Sequence, residues 1–331
     1  MTTRTKQFPA TIPTGPLKTF QPKTEQPVTN PNPLSSFFRK SKLSLSLPSR
    51  GQWYPKSGLN YDSSGHLSVF AMNASDDIKF RTGDATMTGK NIYEVIQSCV
   101  PGITQPENIP HIDIDAILLA IRVASYGAEF DFQVSVPNTK LFKTIKVNAI
   151  DLLYNISNCE AQWDSEINIE DETGQTLSLE VNPIPLKNLF ITSKNIFLLR
   201  RSLTKNIDQD ENIKDESSFS TTMNSLSLSA IDLLCSSIGK LSINDPNNNT
   251  ILSLDSTNPQ DAVQINTTIR QIDIAYFNTI RDHIDKQREK YAFFSEPQNS
   301  SVEELHAGAP ETWKAELVFM GSNFLPESKN A

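Results

Sequence analysis

The sequence predicts an α+β protein: an N-terminal α/β unit, a longer and mainly helical region carrying a β-hairpin, and a proline-rich tail ahead of both. Three observations carry that expectation. Residues 110–127, PHIDIDAILLAIRVASYG, repeat apolar side chains at helical spacing. GHLSVFAM and SEINIEDETGQTLSLEV instead alternate apolar with polar, the period of half-buried strands. The first 42 residues have neither period.

That tail carries Pro9, Pro13, Pro16, Pro22, Pro27, Pro31 and Pro33. Its charge is almost all basic, with Arg4, Lys6, Lys18, Lys23, Arg39, Lys40 and Lys42 against Glu25. Without an apolar face it cannot offset the entropy of ordering, so residues 1–42 are expected to be disordered. Near its end NPLSSFFRKSK sets Phe37 and Phe38 beside three cations, either as a partner contact or as two aromatics in a solvated linker.

Residues 43–133 read as the α/β unit. In GHLSVFAM, Leu67 and Val69 share one face of a strand. ASDD follows, with Ser75 as the expected N-cap and Asp76 and Asp77 where the helix dipole favours anions. GKNIYEVIQSCVPG is a helix by the spacing of Ile92, Val95, Ile96 and Cys99, stopped at Pro101-Gly102. In the 110–127 helix Asp113 is the expected cap, with Ile112 and Ile117 at the spacing of a hydrophobic staple. Ile114, Ile117, Leu118, Ile121 and Ser125 make its buried face, and Gly127 ends it where a positive φ suits glycine.

Residues 151–300 read as mainly helical. SEINIEDETGQTLSLEV is a hairpin around Glu172-Thr173-Gly174. PIPLKNLFITSKNIFLLRRSL is helical, with a break open near Thr192-Ser193, and QDENIKDESS is a polar, acidic link. NSLSLSAIDLLCSSIGKL reads as a helix with Leu226, Ile231, Leu234 and Ile238 apolar. INDPNNNTILSL is a turn between strands. DAVQINTTIRQIDIAYFNTIRDHIDKQREKY reads as one long amphipathic helix. The closing APETWKAELVFMGSNFL alternates like a strand and ends on Phe324-Leu325.

Composition narrows the function. A formal net charge of -8 disfavours a general binder of nucleic acid or anionic membrane. No apolar run reaches the roughly 20 residues of a membrane span, and the N-terminus lacks a secretory apolar core. Cys99, Cys159 and Cys235 are odd in number and far apart, which is no disulfide framework. His66, His111, His283 and His306 each stand alone and read as surface or turn residues. No phosphate-cradling glycine motif and no GxSxG elbow is present. Asp113 and Asp115 look like a carboxylate pair, but capping and dipole effects account for them. Arg122, in an otherwise apolar helix, needs a partner: a carboxylate or a ring of carbonyls. No catalytic, cofactor or metal residue is expected.

Two stretches point to a family. LPSRGQWYP at 47–55 is followed by IDIDAILLAIRVASYG at 112–127. Together they resemble the baseplate hub subunit family of T-even-like tailed bacteriophages, whose members pair a Leu-Pro-Ser-(Lys/Arg)-Gly-x-x-Tyr-Pro segment with an Ile-Asp-x-Asp helix ending in Ser-Tyr-Gly. The resemblance covers residues 45–150 well and the remainder only in helical layout and final strand. In many such relatives two Cys-Pro-x-Cys knuckles form a zinc ribbon interrupted by a long helical insertion. Here Val136-Pro137-Asn138-Thr139 and Ala309-Pro310-Glu311-Thr312 stand in those places without a thiol. The resemblance therefore implies degenerate zinc-ribbon-like β-hairpins at 134–150 and 301–328, without metal, with 151–300 as the insertion. Trp313, Phe142 and Phe319 are the expected fillers. Two unrelated loops sharing a proline is the alternative.

The implied function is structural or assembly work in the phage tail baseplate hub. Its partners would be other baseplate or tail hub proteins, with self-association open, and no small-molecule substrate or membrane. Host cytoplasm during assembly is the expected location, with the virion baseplate open. The competing reading is a nucleic-acid-associated phage protein that grips phosphate with its basic tail. Candidate contact or docking residues are Phe37, Phe38, Arg50, Trp53 and Tyr54. Trp53 and Tyr54 combine apolar area with polar tips, suited to pinning an irregular segment to a domain edge or a partner. Asp113, Asp115, Ile121, Arg122, Tyr126 and Gly127 form the core motif.

Overall fold

Apolar alternation and helical period each find their element in the computed structural model of the chain, which describes residues 38–81, 89–158, 160–208, 225, 228–247 and 249–319. Strand β1 (Ser41–Leu45) pairs antiparallel with β2 (Leu67–Phe70), burying Leu45, Leu67 and Val69. Helix α1 (Ala74–Arg81) follows. Its cap is Asn73 rather than Ser75: Asn73 Oδ1 accepts from the Asp76 N–H, and the Asp76 carboxylate accepts from the Asn73 N–H. That reciprocal pair needs a three-residue spacing, which Ser75 lacks. Helix α2 (Lys90–Cys99) buries Ile92, Val95, Ile96 and Cys99, the four residues its period named.

Helix α3 (His111–Tyr126) is the centre of the larger core. Ile114, Ala116, Ile117, Leu118, Leu119, Ala120, Ile121 and Ala124 are all buried. Its N-cap position is Pro110, with no side-chain cap, so Asp113 is not the capping residue; it lies inside the first turn. Gly127 ends the helix at φ 98°. The hairpin β3 (Glu129–Ser135) and β4 (Phe142–Asn148) follows, then α4 (Ala149–Ser157), capped by Asn148.

A second core is built on a four-stranded antiparallel meander, β5 (Glu166–Glu170), β6 (Thr176–Val181), β7 (Ile238–Asn244) and β8 (Thr250–Asp255). Ile167, Leu179, Val181, Leu241 and Leu254 face α7 (Pro259–Gln271) and α8 (Ile274–Glu289). Between β6 and β7 the chain returns to the first core: α5 (Leu186–Asp208) buries Leu186 and Phe190 there. One open point is decided here and three expectations change. α5 runs unbroken through Thr192-Ser193, since neither residue removes a backbone donor. The helix after it, α6 (228–235), stops before Ile238, which opens β7; the Ser236 and Ser237 hydroxyls donate to the Leu233 and Leu234 carbonyls and close the last turn. The 261–291 helix is two helices: Ile272 is extended, and Asp273 starts α8 by accepting from the Ala275 N–H. The closing strand is short: β10 (Thr312–Trp313) pairs with β9 (Gln298–Asn299), and one further bridge joins Phe294 to Glu316. Burial nonetheless alternates through Trp313, Ala315, Leu317 and Phe319.

The two proline turns lie side by side. A methyl at Gly308 would sit 3.7 Å from the Asn138 carbonyl oxygen. Lys143 on β4 donates to the Asn299 carbonyl (2.8 Å), pairs with Glu304 (3.4 Å) on α9 (Val302–His306), and lies over the Trp313 ring. Val136 and Ala309 are buried, and the Thr139 hydroxyl donates to the Val136 carbonyl. Of the expected fillers Trp313 and Phe319 are buried, while Phe142 is 68% exposed, because it falls on the outer face of β4. Phe37, Cys159, Leu226, the 209–218 link, Phe324 and Leu325 lie outside the described residues.

Candidate functional site

The first turn of α3 gathers residues 47–55 and Phe319. Asp113 is fully buried, and its carboxylate accepts from the Ser49 N–H (2.8 Å), the Ser49 hydroxyl (2.5 Å) and the Tyr54 hydroxyl (2.9 Å). Residues 47–55 are thereby clasped onto the helix. Burial pushes the Asp113 carboxyl up to about 6, against the lowering effect of the three donors. Tyr54 is pushed well above its ordinary value, first by burial and then by the neighbouring Asp113.

Two residues on, Asp115 faces the other way round the helix. It accepts from the Phe319 N–H at 2.7 Å, and burial raises it to about 6, with Glu316 adding to the rise. Phe319 is fully buried and meets Phe130, Phe132 and Phe293 edge-on, at centroid distances of 6.1, 5.5 and 5.8 Å. The carboxylates that sequence read as helix-end charges are thus chain-to-chain ties, one holding the N-terminal segment and one the C-terminal strand.

The clasp itself bends sharply. Arg50 and Trp53 both have positive φ, 56° and 63°, as does Gly51 at 79°. Such a conformation in a non-glycine residue costs about 1–3 kcal/mol and persists only where neighbours over-determine it. They do: the Arg50 N–H donates to the Leu47 carbonyl, and the Trp53 indole donates to Asn182 Oδ1 at 2.9 Å. A side chain at position 51 would collide with the Tyr61 hydroxyl, 2.3 Å from its Cβ. Trp53 also lies edge-on to Trp163 at 6.1 Å, within a small apolar cluster of Ile112, Trp163 and Tyr291 between the two larger cores. Trp53 therefore touches the sheet side while its neighbour Tyr54 is tied to α3.

The other motif residues are distributed along α3. Ile121 is fully buried. Arg122 is 3% exposed and lays its guanidinium over the Phe130 ring at 4.0 Å, nearer than the Tyr126 ring at 6.0 Å; desolvation lowers it from its ordinary value. The Tyr126 hydroxyl donates to Asp77 at 2.5 Å on the surface, and burial with that carboxylate pushes it up to about 12. The side chains of Phe38 and Arg50 are exposed.

Sequence missed Ser49, Asn182, Trp163 and His111. His111 is only partly exposed: it meets Trp163 edge-on, its Nδ1 accepts from the Ile184 N–H at 2.9 Å, and burial lowers it to about 4. A neutral ring follows, fastening the start of α3 to the β6–α5 connection. Only its place immediately before IDID hinted at this. Among the described residues no three His, Cys, Asp or Glu converge as metal ligands. No helix of the described chain is long and apolar enough to cross a membrane.

A family model described as T4 bacteriophage base plate protein matches residues 70–293, about two thirds of the chain. The match runs from the end of β2 through α3 and the sheet core to the end of α8 and just beyond. No curated protein and no solved structure matches.

Proposed function

The chain belongs to the T4 bacteriophage base plate protein family, and on that premise we propose that it is a structural or assembly component of the tail baseplate hub, acting through contacts with other baseplate or hub proteins. The observation that supports this most is the use made of its buried carboxylates. Asp113 accepts three hydrogen bonds and Asp115 one, all from the chain's own segments. A general acid or base needs a proton within reach of substrate, and these two are turned inward. Asp76, the other fully enclosed carboxylate of the α/β unit beside Asp113, is likewise occupied, by Arg39 and Ser98. A fold whose 47–55 segment and closing strand are both tied to one helix suits a protein that presents fixed surfaces rather than one that turns over a ligand.

The reading is tested by gradient sedimentation of baseplate intermediates from infected cells, with mass spectrometry of each fraction and of purified particles. Peptides of this chain are expected in hub-containing intermediates, whether or not they persist in finished particles. A chain found only in the free-protein fractions overturns the reading. Retention on DNA with steep salt dependence would favour the basic-tail alternative instead.

A further inference from the structure

Helix α5 changes character along its length. Its first turns are packed, with Leu186 and Phe190 buried. Beyond them Ile191 and Leu198 are 58% and 50% exposed. They do not stand alone: Lys187, Ile191, Lys194, Leu198 and Arg201 are all exposed and follow one another at intervals of four, three, four and three. That average of 3.5 residues keeps them on one stripe of the helix, the seam geometry by which two helices pack side by side. At 1.5 Å per residue the stripe is about 21 Å long.

Its charge has one sign. The helix carries Lys187, Lys194, Arg200, Arg201 and Lys205 against Asp208 alone, in a chain whose net charge is -8. Lys187 reaches Asn108 Oδ1 at 3.2 Å. Among the described residues, neither Lys194 nor Arg201 takes part in an ion pair. The groove beside the stripe includes a carboxylate, Asp232, but Arg270 already pairs with it at 2.5 Å. Two exposed aliphatic side chains set between cations match a surface that offers apolar contact and negative charge together.

We propose that this stripe of α5 is the docking face for an acidic helix of another baseplate protein, one that carries aliphatic side chains between its carboxylates. The proposal rests on the reading that the chain works by protein contacts, and it names the face and the partner's chemistry. A helix supplies both complements at the same 3.5-residue interval. DNA offers phosphates but nothing for Ile191 and Leu198. An anionic bilayer would gain two aliphatic side chains from the stripe, with a lysine between them, and would meet the otherwise acidic chain with repulsion.

The test uses the full chain and two synthetic helical peptides. One carries Leu and Glu along a matching stripe, and the other carries Leu and Lys. Fluorescence anisotropy should show the Glu peptide binding at least about tenfold more tightly, a difference of 1.4 kcal/mol. K194E with R201E should reverse that preference, and I191S with L198S should weaken the Glu peptide by a similar factor. Unchanged melting of both variants shows that the fold is intact. A photo-crosslinker at Leu198 in assembled intermediates should then join an acidic, aliphatic-bearing helix of another baseplate protein. Equal affinity for the two peptides, or binding indifferent to the variants, overturns the proposal. So does a crosslink to a second copy, lipid, DNA or a basic segment. If the stripe fails while the chain still sediments with hub intermediates, the docking face is wrong and the baseplate role stands. If the chain never sediments with them, the role itself is wrong.

Discussion

Asp113 shows how one buried side chain couples fold and pH. Its carboxyl stands at about 6 when folded, against 3.8 in the open chain. The folded state therefore binds the proton more tightly than the unfolded state between those values. Stability contributed through this group is fully present below 3.8 and is lost as pH rises to about 6, beyond which it is flat. That span corresponds to on the order of 3 kcal/mol. Asp113→Asn removes the titration, so the parent's stability minus the variant's should fall from pH 4 to pH 6. Melting at four pH values checks this; a difference that is constant, or that rises, refutes the assignment. Asp113→Ala differs, because it strands the Ser49 N–H and both hydroxyls. It should cost about 2–4 kcal/mol at neutral pH.

At the scale of the element, α3 is the member on which the larger core depends. Ile121 is fully enclosed. Ile121→Asp would place an unpaired carboxylate there at a cost of several kcal/mol, comparable to an ordinary domain's whole stability. The expected result is loss of cooperative melting and of plaque formation in complementation. Gly127 is a milder case. A Cβ there meets nothing within 4 Å, so the penalty comes from its φ of 98° alone. Gly127→Val should lower stability by about 1–3 kcal/mol without abolishing the fold. A variant that melts like the parent would show that the helix end relaxes.

Across the whole molecule, the two cores meet through the Trp163 cluster, the His111–Ile184 bond and the first turns of α5. Trp53 packs on that cluster, bonded to Asn182 and set against Trp163 while its neighbour Tyr54 is anchored on Asp113. Trp53→Ala removes the bond and the ring contact and leaves both cores otherwise intact. Calorimetry should then show a lower melting temperature than the parent's; a variant that melts like the parent would mean that the His111 and α5 contacts carry the coupling. The joined proline turns lead to a further expectation. Purified protein should contain well under one zinc per chain, because a tetrahedral site needs four soft or imidazole ligands and the turns offer Val136, Thr139, Ala309 and Thr312. Stoichiometric zinc in elemental analysis, or unfolding by chelator, would contradict this.

Local physics was legible residue by residue. Ile92, Val95, Ile96 and Cys99 named the buried face of α2, the 110–127 period located α3, and Glu172-Thr173-Gly174 placed a hairpin turn, because periodicity and turn chemistry act over a few neighbours. The family was legible too, through two short motifs. What sequence misread were residues whose partners are distant. Asp113 looked like a cap because capping is the commonest local use of an aspartate there, whereas its real donors, on Ser49 and Tyr54, lie about sixty residues earlier. Asp115 is bound by a residue two hundred positions later. Asp273 was overlooked inside an apolar period that continues across it, although its capping bond divides the helix. Trp53 posed a question that its neighbours could not answer, since Asn182 and Trp163 reach it only after the sheet has folded back. Hydrophobic period is written along the chain, but the partner of a buried polar group is chosen by three-dimensional closure, so only the tertiary structure could decide it.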